Sequence, residues 1–118
     1  MSRVLFVDPF GGAAGDMLLG ALIDAGADVA AVGDVLSGLR LPGWRLSASR
    51  DRHQGFAGVR VAVEVDQESH PARRLRDVEA LLAAATLPER VRERSTAAFR
   101  RLFAAEADAH GVAVDDAH

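Results

Sequence analysis

The stretch VLFVDPFGGAAGDM, Val4–Met17, lies near the start of the chain and carries the strongest sequence signals for its fold. Its first four residues are β-branched, aliphatic or aromatic, a run that predicts a strand at Arg3–Val7 buried on both faces. The run stops at Asp8 and Pro9, a glycine-rich turn follows, and a helical pattern begins near Asp16. Ligand sites in α/β units gather where a strand ends, so we expect this corner to be functional.

Two carboxylates flank the glycine turn, Asp8 at the end of the predicted strand and Asp16 in the first turn of the predicted helix. Two acids held close together can bind Mg²⁺ or Mn²⁺, with water completing the shell. Gly11, Gly12 and Gly15 would leave room for a ligand, and the helix N-terminus would offer N–H groups to a phosphate. The alternative is structural: Asp8 makes an Asx turn, and Asp16 balances the helix dipole. No Gly-Lys-Ser/Thr follows, so the turn is not a P-loop.

The rest of the chain predicts four helices and a β-hairpin. Apolar stripes and glycine stops place the helices at Ala14–Ala25, Val29–Ser37, Leu75–Ala84 and Pro88–His110. Alternating residues over Trp44–Arg52 and Phe56–Val65, around a turn at His53-Gln54-Gly55, predict the hairpin. The predicted order is β-α-α-β-β-α-α. We therefore expect an α+β fold, a small three-stranded sheet packed with about four helices, in one domain over residues 1–118.

Composition argues against several classes of function. The net charge is −3 and every one of the fourteen cationic side chains is Arg, which gives no general basic footprint for nucleic acid. The absence of cysteine excludes a disulfide framework and a thiolate metal site, and favours an intracellular, cytoplasmic setting. No apolar run approaches the roughly 20 residues needed to span a membrane. Neither nucleic acid nor a membrane is an expected partner.

Three histidines are candidate ligands. His70 precedes an arginine-rich helix start that includes Arg73, a setting that could meet an anionic substrate. His110 lies at the end of the fourth helix, and His118 is the last residue. The structural alternatives are a solvated loop histidine and an imidazole at a helix C-terminus. His53, in the hairpin turn, is predicted to be exposed without a role. Convergence of the candidates on the glycine turn requires the last two helices to fold back, which the sequence leaves open.

The segment DPFGGAAGDMLLGAL, Asp8–Leu22, resembles the N-terminal signature of the LarC family, the nickel-insertion proteins of lactate-racemase cofactor biosynthesis. The resemblance continues through the hairpin, the loop with His70, Leu87–Glu89 and Phe99–Gly111. It ends at Val114–His118, where the family continues into a His-rich motif of the His-Phe-His-Glu type. Essentially the whole chain is covered.

This resemblance implies a function. Proteins of the family insert nickel into pyridinium-3,5-bisthiocarboxylic acid mononucleotide, a nucleotide-like substrate, in a reaction that uses CTP with Mg²⁺ or Mn²⁺. The chain is then expected to be the N-terminal part of a longer nickel chelatase, a lyase, with a C-terminal CTP-binding domain as its partner. The implied roles are catalytic for Asp8 and Asp16, substrate- or phosphate-binding for Gly11, Gly12, Gly15 and Arg73, and metal-binding for Asp8, Asp16, His70, His110 and His118.

Two departures from the family pattern concern nickel handling. The loop Ser69–Arg73 has one histidine where the family commonly has His-x-His, and the His-rich motif stops at His118. Two other functions therefore stay open: a non-catalytic structural or oligomerising module, and a divalent-metal-dependent domain that binds a nucleotide or phosphate. A large exposed apolar patch would favour the first of these, including a homo-oligomer.

Overall fold

A computed structural model describes residues 2–66 and 71–118. Its elements are α1 (Gly15–Asp24), α2 (Val29–Ser37), β1 (Trp44–His53), β2 (Phe56–Val65), α3 (Leu75–Ala84), α4 (Glu89–His110) and a short 3₁₀ helix (Val114–Asp116). The four predicted helices and the predicted hairpin are all present, with bounds that differ by one residue or so. The α+β class is confirmed.

The predicted strand at Arg3–Val7 is not formed. These residues have no regular secondary structure and are exposed, Val4 by 90% and Phe6 by 85%. Among the described residues the sheet contains β1 and β2 alone, so the predicted three-stranded sheet is corrected to two strands. An apolar, β-branched run supplies a local preference, but a strand exists only where another strand completes its hydrogen bonds.

The chain divides into two compact units, each built from two separate stretches of sequence. We call Met1–Val29 with Trp44–Glu64 the hairpin unit, and Ala30–Gly43 with Val65–His118 the helical unit. The hairpin unit contains α1, β1 and most of β2, and the helical unit contains α3, α4 and the 3₁₀ helix. A single domain over residues 1–118 stays a prediction.

The hairpin unit is held together by the approach of α1 to β2. Gly20 is buried in α1, and a Cβ atom added there would lie 2.7 Å from the carbonyl oxygen of Val59. Val61, two residues further along β2, is only 5% exposed. The helix and the strand therefore meet at a position where no side chain fits on the helix.

The hairpin itself follows from its turn and from the alternation of its side chains. Gln54 and Gly55 have φ angles of 49° and 88°, and positive φ at both central residues defines the type I′ turn that joins twisted strands. Along β1, Trp44, Leu46 and Ala48 are half-buried while the residues between them are exposed, as the alternation predicts.

The core of the helical unit lies on one side of α4. Phe103, Ala107 and Ala117 are buried there, and the side chains packed against them are Leu75, Val78 and Phe99. Gly111 has a φ of 65° and ends α4, and the N–H of Val112 donates to the carbonyl of Ala107 at 3.0 Å. This reversal leads into the 3₁₀ helix and brings Ala117 into the core. Of the helices in the described residues, none is both long enough and apolar enough to cross a membrane.

Candidate functional site

The glycine turn has the local form that the sequence predicts. The N–H of Gly12 donates to the carbonyl of Pro9 at 2.9 Å, and Gly12 has a φ of 118°, which an L side chain rarely adopts. Gly15 begins α1, and Asp16 lies in its first turn. The N–H of Met17 donates to Oδ1 of Asp16 at 2.8 Å. Asp16 thus has a structural role at the helix N-terminus. The residue is also exposed to solvent.

A groove of about 670 Å³ lies between this turn and the tip of the hairpin, within the hairpin unit. Its polar lining residues are Asp16, Asp51, His53, Gln54 and Arg60. Its other lining residues are Phe10, Gly11, Met17, Phe56, Ala57, Gly58, Val59 and Val61. The groove therefore combines aromatic and aliphatic walls with two carboxylates, one imidazole and one guanidinium.

The Asp51 carboxylate is held in its ionised form. The backbone N–H of Arg52 donates to its Oδ1 at 2.7 Å and the guanidinium of Arg60 to its Oδ2 at 3.4 Å, and these two contacts, in that order, lower the pKa of Asp51. Partial desolvation opposes them by raising this pKa, and the nearby charge of His53 lowers it further. Asp51 therefore presents a negative charge to the groove at neutral pH.

Asp51→Asn is expected to remove a pH-dependent contribution to stability. Because the folded-state pKa lies below the ordinary value of 3.8, the contribution is present above pH 3.8 and is lost as the pH falls through the folded-state value. Urea unfolding from pH 7 down to about pH 2 should show the variant less stable than the parent at neutral pH, with the gap closing in acid. Asp108→Asn, on exposed α4 surface, is the control. A gap that stays constant with pH would contradict the assignment.

The structure places the predicted residues of the glycine turn in two groups. Gly11 and Asp16 line the groove, whereas Asp8 lies outside its lining. Gly12 and Gly15 shape the turn and the helix start. The paired use of Asp8 and Asp16 as metal ligands stays a prediction.

The other predicted site residues belong to the helical unit or lie outside the described residues. His70 is outside them. Arg73 is exposed ahead of α3. His110 donates from Nε2 to Oε1 of Glu106 at 3.2 Å, one turn earlier on α4, and His118 donates from Nδ1 to the carbonyl of Asp116 at 3.5 Å. Their convergence with the glycine turn stays a prediction.

Residues 2–66 and 71–118 contain no group of three or more histidine, cysteine, aspartate or glutamate side chains placed to hold a metal ion. A metal site built wholly from protein side chains is therefore not assembled by these residues, whereas a site of one or two carboxylates completed by water stays a prediction. The chemistry that they do offer is that of the groove.

The sequence pattern missed the hairpin side of the groove. From the sequence, the alternation predicts only strand positions for Asp51, Phe56 and Arg60, and the turn predicts an exposed position for His53. A signal was nevertheless present: a two-residue turn at Gln54-Gly55 places His53 opposite Phe56 at the tip, and alternation places Asp51 on the same face as His53. The pattern does not show that the glycine turn, some forty residues earlier in the chain, lies close to the tip of the hairpin.

Comparison with known proteins gives a consistent result. A family model described as nickel insertion protein matches residues 5–118. Relatives named for nickel insertion come from Thermomicrobium roseum, 48% identical over 98% of this chain and 29% of its own length, and from Myxococcus xanthus, 45% identical over 100% of this chain and 31% of its own length. No solved structure matches the chain.

A third relative, from Desulfitobacterium hafniense, is named pyridinium-3,5-bisthiocarboxylic acid mononucleotide nickel insertion protein. It is 38% identical over 98% of this chain and 29% of its own length. The chain thus spans about 30% of the length of these relatives. The match of the family model over residues 5–118 confirms the resemblance predicted from Asp8–Leu22. The chain therefore belongs to the nickel insertion protein family.

Proposed function

We propose that this chain is the N-terminal part of a protein that inserts nickel into pyridinium-3,5-bisthiocarboxylic acid mononucleotide. The observation that carries the proposal is the alignment of nearly the whole chain with the N-terminal 30% or so of the Desulfitobacterium hafniense relative, whose name states that substrate. In the family, this activity yields the nickel-pincer nucleotide and makes the longer protein a nickel chelatase.

The glycine turn suits the phosphate end of such a mononucleotide. Gly11 has nothing within 4 Å of the position that a Cβ would take, so the backbone there is open to a ligand. The N-terminus of α1, with the positive end of the helix dipole, favours an anion. Asp16, in the lining of the groove, is a carboxylate that can hold a hydrated nickel ion as it approaches the substrate. Asp8 and the three candidate histidines are proposed as further donors.

CTP is assigned by this proposal to the rest of the family protein. This assignment follows the family resemblance, in which CTP belongs to a C-terminal domain, and no step with CTP is placed on this chain. Its share of the reaction is to bind and orient the nucleotide-like substrate and to present nickel to it.

The test is a chimaera in which this chain replaces the corresponding N-terminal segment of the Desulfitobacterium hafniense relative. The native relative and the relative without that segment serve as controls. Each is supplied with nickel-free substrate, Ni²⁺, CTP and Mn²⁺, and the product is analysed by mass spectrometry for nickel per nucleotide. We expect nickel insertion by the chimaera and none by the shortened relative. Equal insertion by the shortened relative would contradict the proposal, as would a folded but inactive chimaera.

A second function, assembly, is favoured by one observation. Apolar side chains at the start of the hairpin unit are exposed, Val4 by 90%, Phe6 by 85% and Phe10 by 88%. Apolar surface of this kind often marks an interaction site. Light scattering coupled to gel filtration tests it: a homo-oligomer that Phe6→Ser disperses would support a packing role for this segment.

A further inference from the structure

We propose that the tip of the hairpin forms the ring-binding half of the groove, where Phe10 and Phe56 take the faces of the pyridinium ring and His53 contacts its anionic substituents. This inference rests on the proposed function, because it names the part of the same groove that would recognise the substrate's ring.

The first argument is the exposure of two aromatic side chains in one groove. The chain has five phenylalanines and one tryptophan, and two of the phenylalanines line this groove while 88% and 75% exposed. Phe10 comes from the glycine turn and Phe56 from the first position of β2, so the two rings belong to different parts of the lining. An exposed phenylalanine ring is stabilised when another flat ring removes it from water. Offset or edge-on contact with a planar ligand ring provides this burial.

The second argument is the sign of the charge beside those rings. A pyridinium ring carries a fixed positive charge, which the faces of aromatic side chains attract. Asp16 and Asp51 add two carboxylates to the same groove, and because Arg60 lies 3.4 Å from Asp51 and balances its charge, the unpaired negative charge in the lining is that of Asp16. A ring without that charge would keep the stacking contact but lose the attraction to the aromatic faces and to the carboxylate, so we expect the groove to favour a cationic ring.

The third argument concerns the anionic arms of the substrate, the thiocarboxylates and the phosphate that its name implies. Arg60 and His53 lie in the polar lining, and both can donate to anionic groups. The N-terminus of α1, reached through Gly11 and Asp16, favours the remaining anion. The groove thus contains both cation-attracting and anion-attracting groups, as a charged ring with anionic arms requires.

The test uses the 118-residue chain and two commercially available probes. Nicotinic acid mononucleotide has a pyridinium ring with a carboxylate at position 3, and uridine 5′-monophosphate has the same ribose phosphate with an uncharged ring. Isothermal titration should give binding at least about tenfold tighter for the pyridinium probe, a difference of about 1.4 kcal/mol. Equal affinities, or no binding of the pyridinium probe, would overturn the inference.

The variants are Phe56→Leu, which keeps apolar bulk but removes the aromatic face, and Phe10→Ala. Each should weaken binding of the pyridinium probe about three- to tenfold, with little effect on the uridine probe. Leu102→Ala, at a position 58% exposed on α4, is the control and should change neither. Circular dichroism verifies that each variant is folded. Unchanged affinity for the pyridinium probe in both phenylalanine variants would overturn the inference.

The result of this binding test can be distinguished from the result of the chimaera test of the proposed function. If the chimaera inserts nickel while the phenylalanine variants bind the probe normally, the function stands and the ring site does not. If the variants lose the probe while the chimaera is inactive, the groove binds a cationic ring but the nickel-insertion proposal fails.

Discussion

Phe103→Ala is expected to destabilise the helical unit by about 3–4 kcal/mol. Phe103 is 8% exposed and lies at the centre of the cluster with Ala107 and Ala117, against which Leu75, Val78 and Phe99 pack. Truncation removes most of a buried ring and leaves a cavity that helix backbones cannot fill, and both effects cost free energy. Urea unfolding followed by circular dichroism measures the loss.

Leu102→Ala is the matched control for this prediction. It removes an apolar side chain, smaller than that of phenylalanine, from the neighbouring position of the same helix, and Leu102 is 58% exposed. We expect its effect to stay within about 0.5 kcal/mol, as for most surface substitutions. If the two variants lose similar amounts of stability, then Phe103 is not the core residue that the structure makes it.

Gly20→Ala is expected to destabilise the hairpin unit by about 1–3 kcal/mol, although alanine is the better helix former. The added methyl group would lie 2.7 Å from the carbonyl oxygen of Val59, and a backbone atom in a strand cannot rotate away as a side chain can. Helix α1 would have to move off β2, which would also expose Val61. Hydrogen exchange of the β2 amides, together with urea unfolding, would detect this loosening.

The control for Gly20 is Gly33→Ala in α2. A Cβ atom at Gly33 would meet nothing within 4 Å, so the higher helix propensity of alanine should raise stability by up to about 1 kcal/mol. The same substitution is thus expected to have opposite signs at the two glycines. Equal effects would show that α1 does not approach β2 as closely as the structure has it.

The helices could be predicted because their ends are determined locally. Gly26, with a φ of 111°, follows α1, and Gly111 follows α4 with a φ of 65°, so each stop depends on a residue that the sequence shows directly. The hairpin was predictable for the same reason, from alternation and a two-residue turn. The strand at Arg3–Val7 was not, because an apolar run says nothing of whether another strand is available beside it.

The candidate site shows the same limit. Asp16 and Gly11 could be predicted because turn and helix start are consecutive in sequence. The contribution of Asp51, His53 and Phe56 could not, since it depends on the approach of the hairpin tip to the glycine turn. That approach follows from the packing of α1 on β2, a contact that periodicity alone does not specify.

The most direct test of the central claim, that the groove beside the glycine turn serves nickel insertion, is the rate of nickel insertion by the chimaera with Asp16→Asn. Asparagine keeps the shape and the carbonyl acceptor for the Met17 N–H, but removes the charge offered to the groove. Asp34→Asn, at an exposed position on α2, is the control. The account predicts a loss of at least about tenfold for Asp16→Asn, equivalent to about 1.4 kcal/mol, and no loss for the control. Equal rates for the two variants would contradict it.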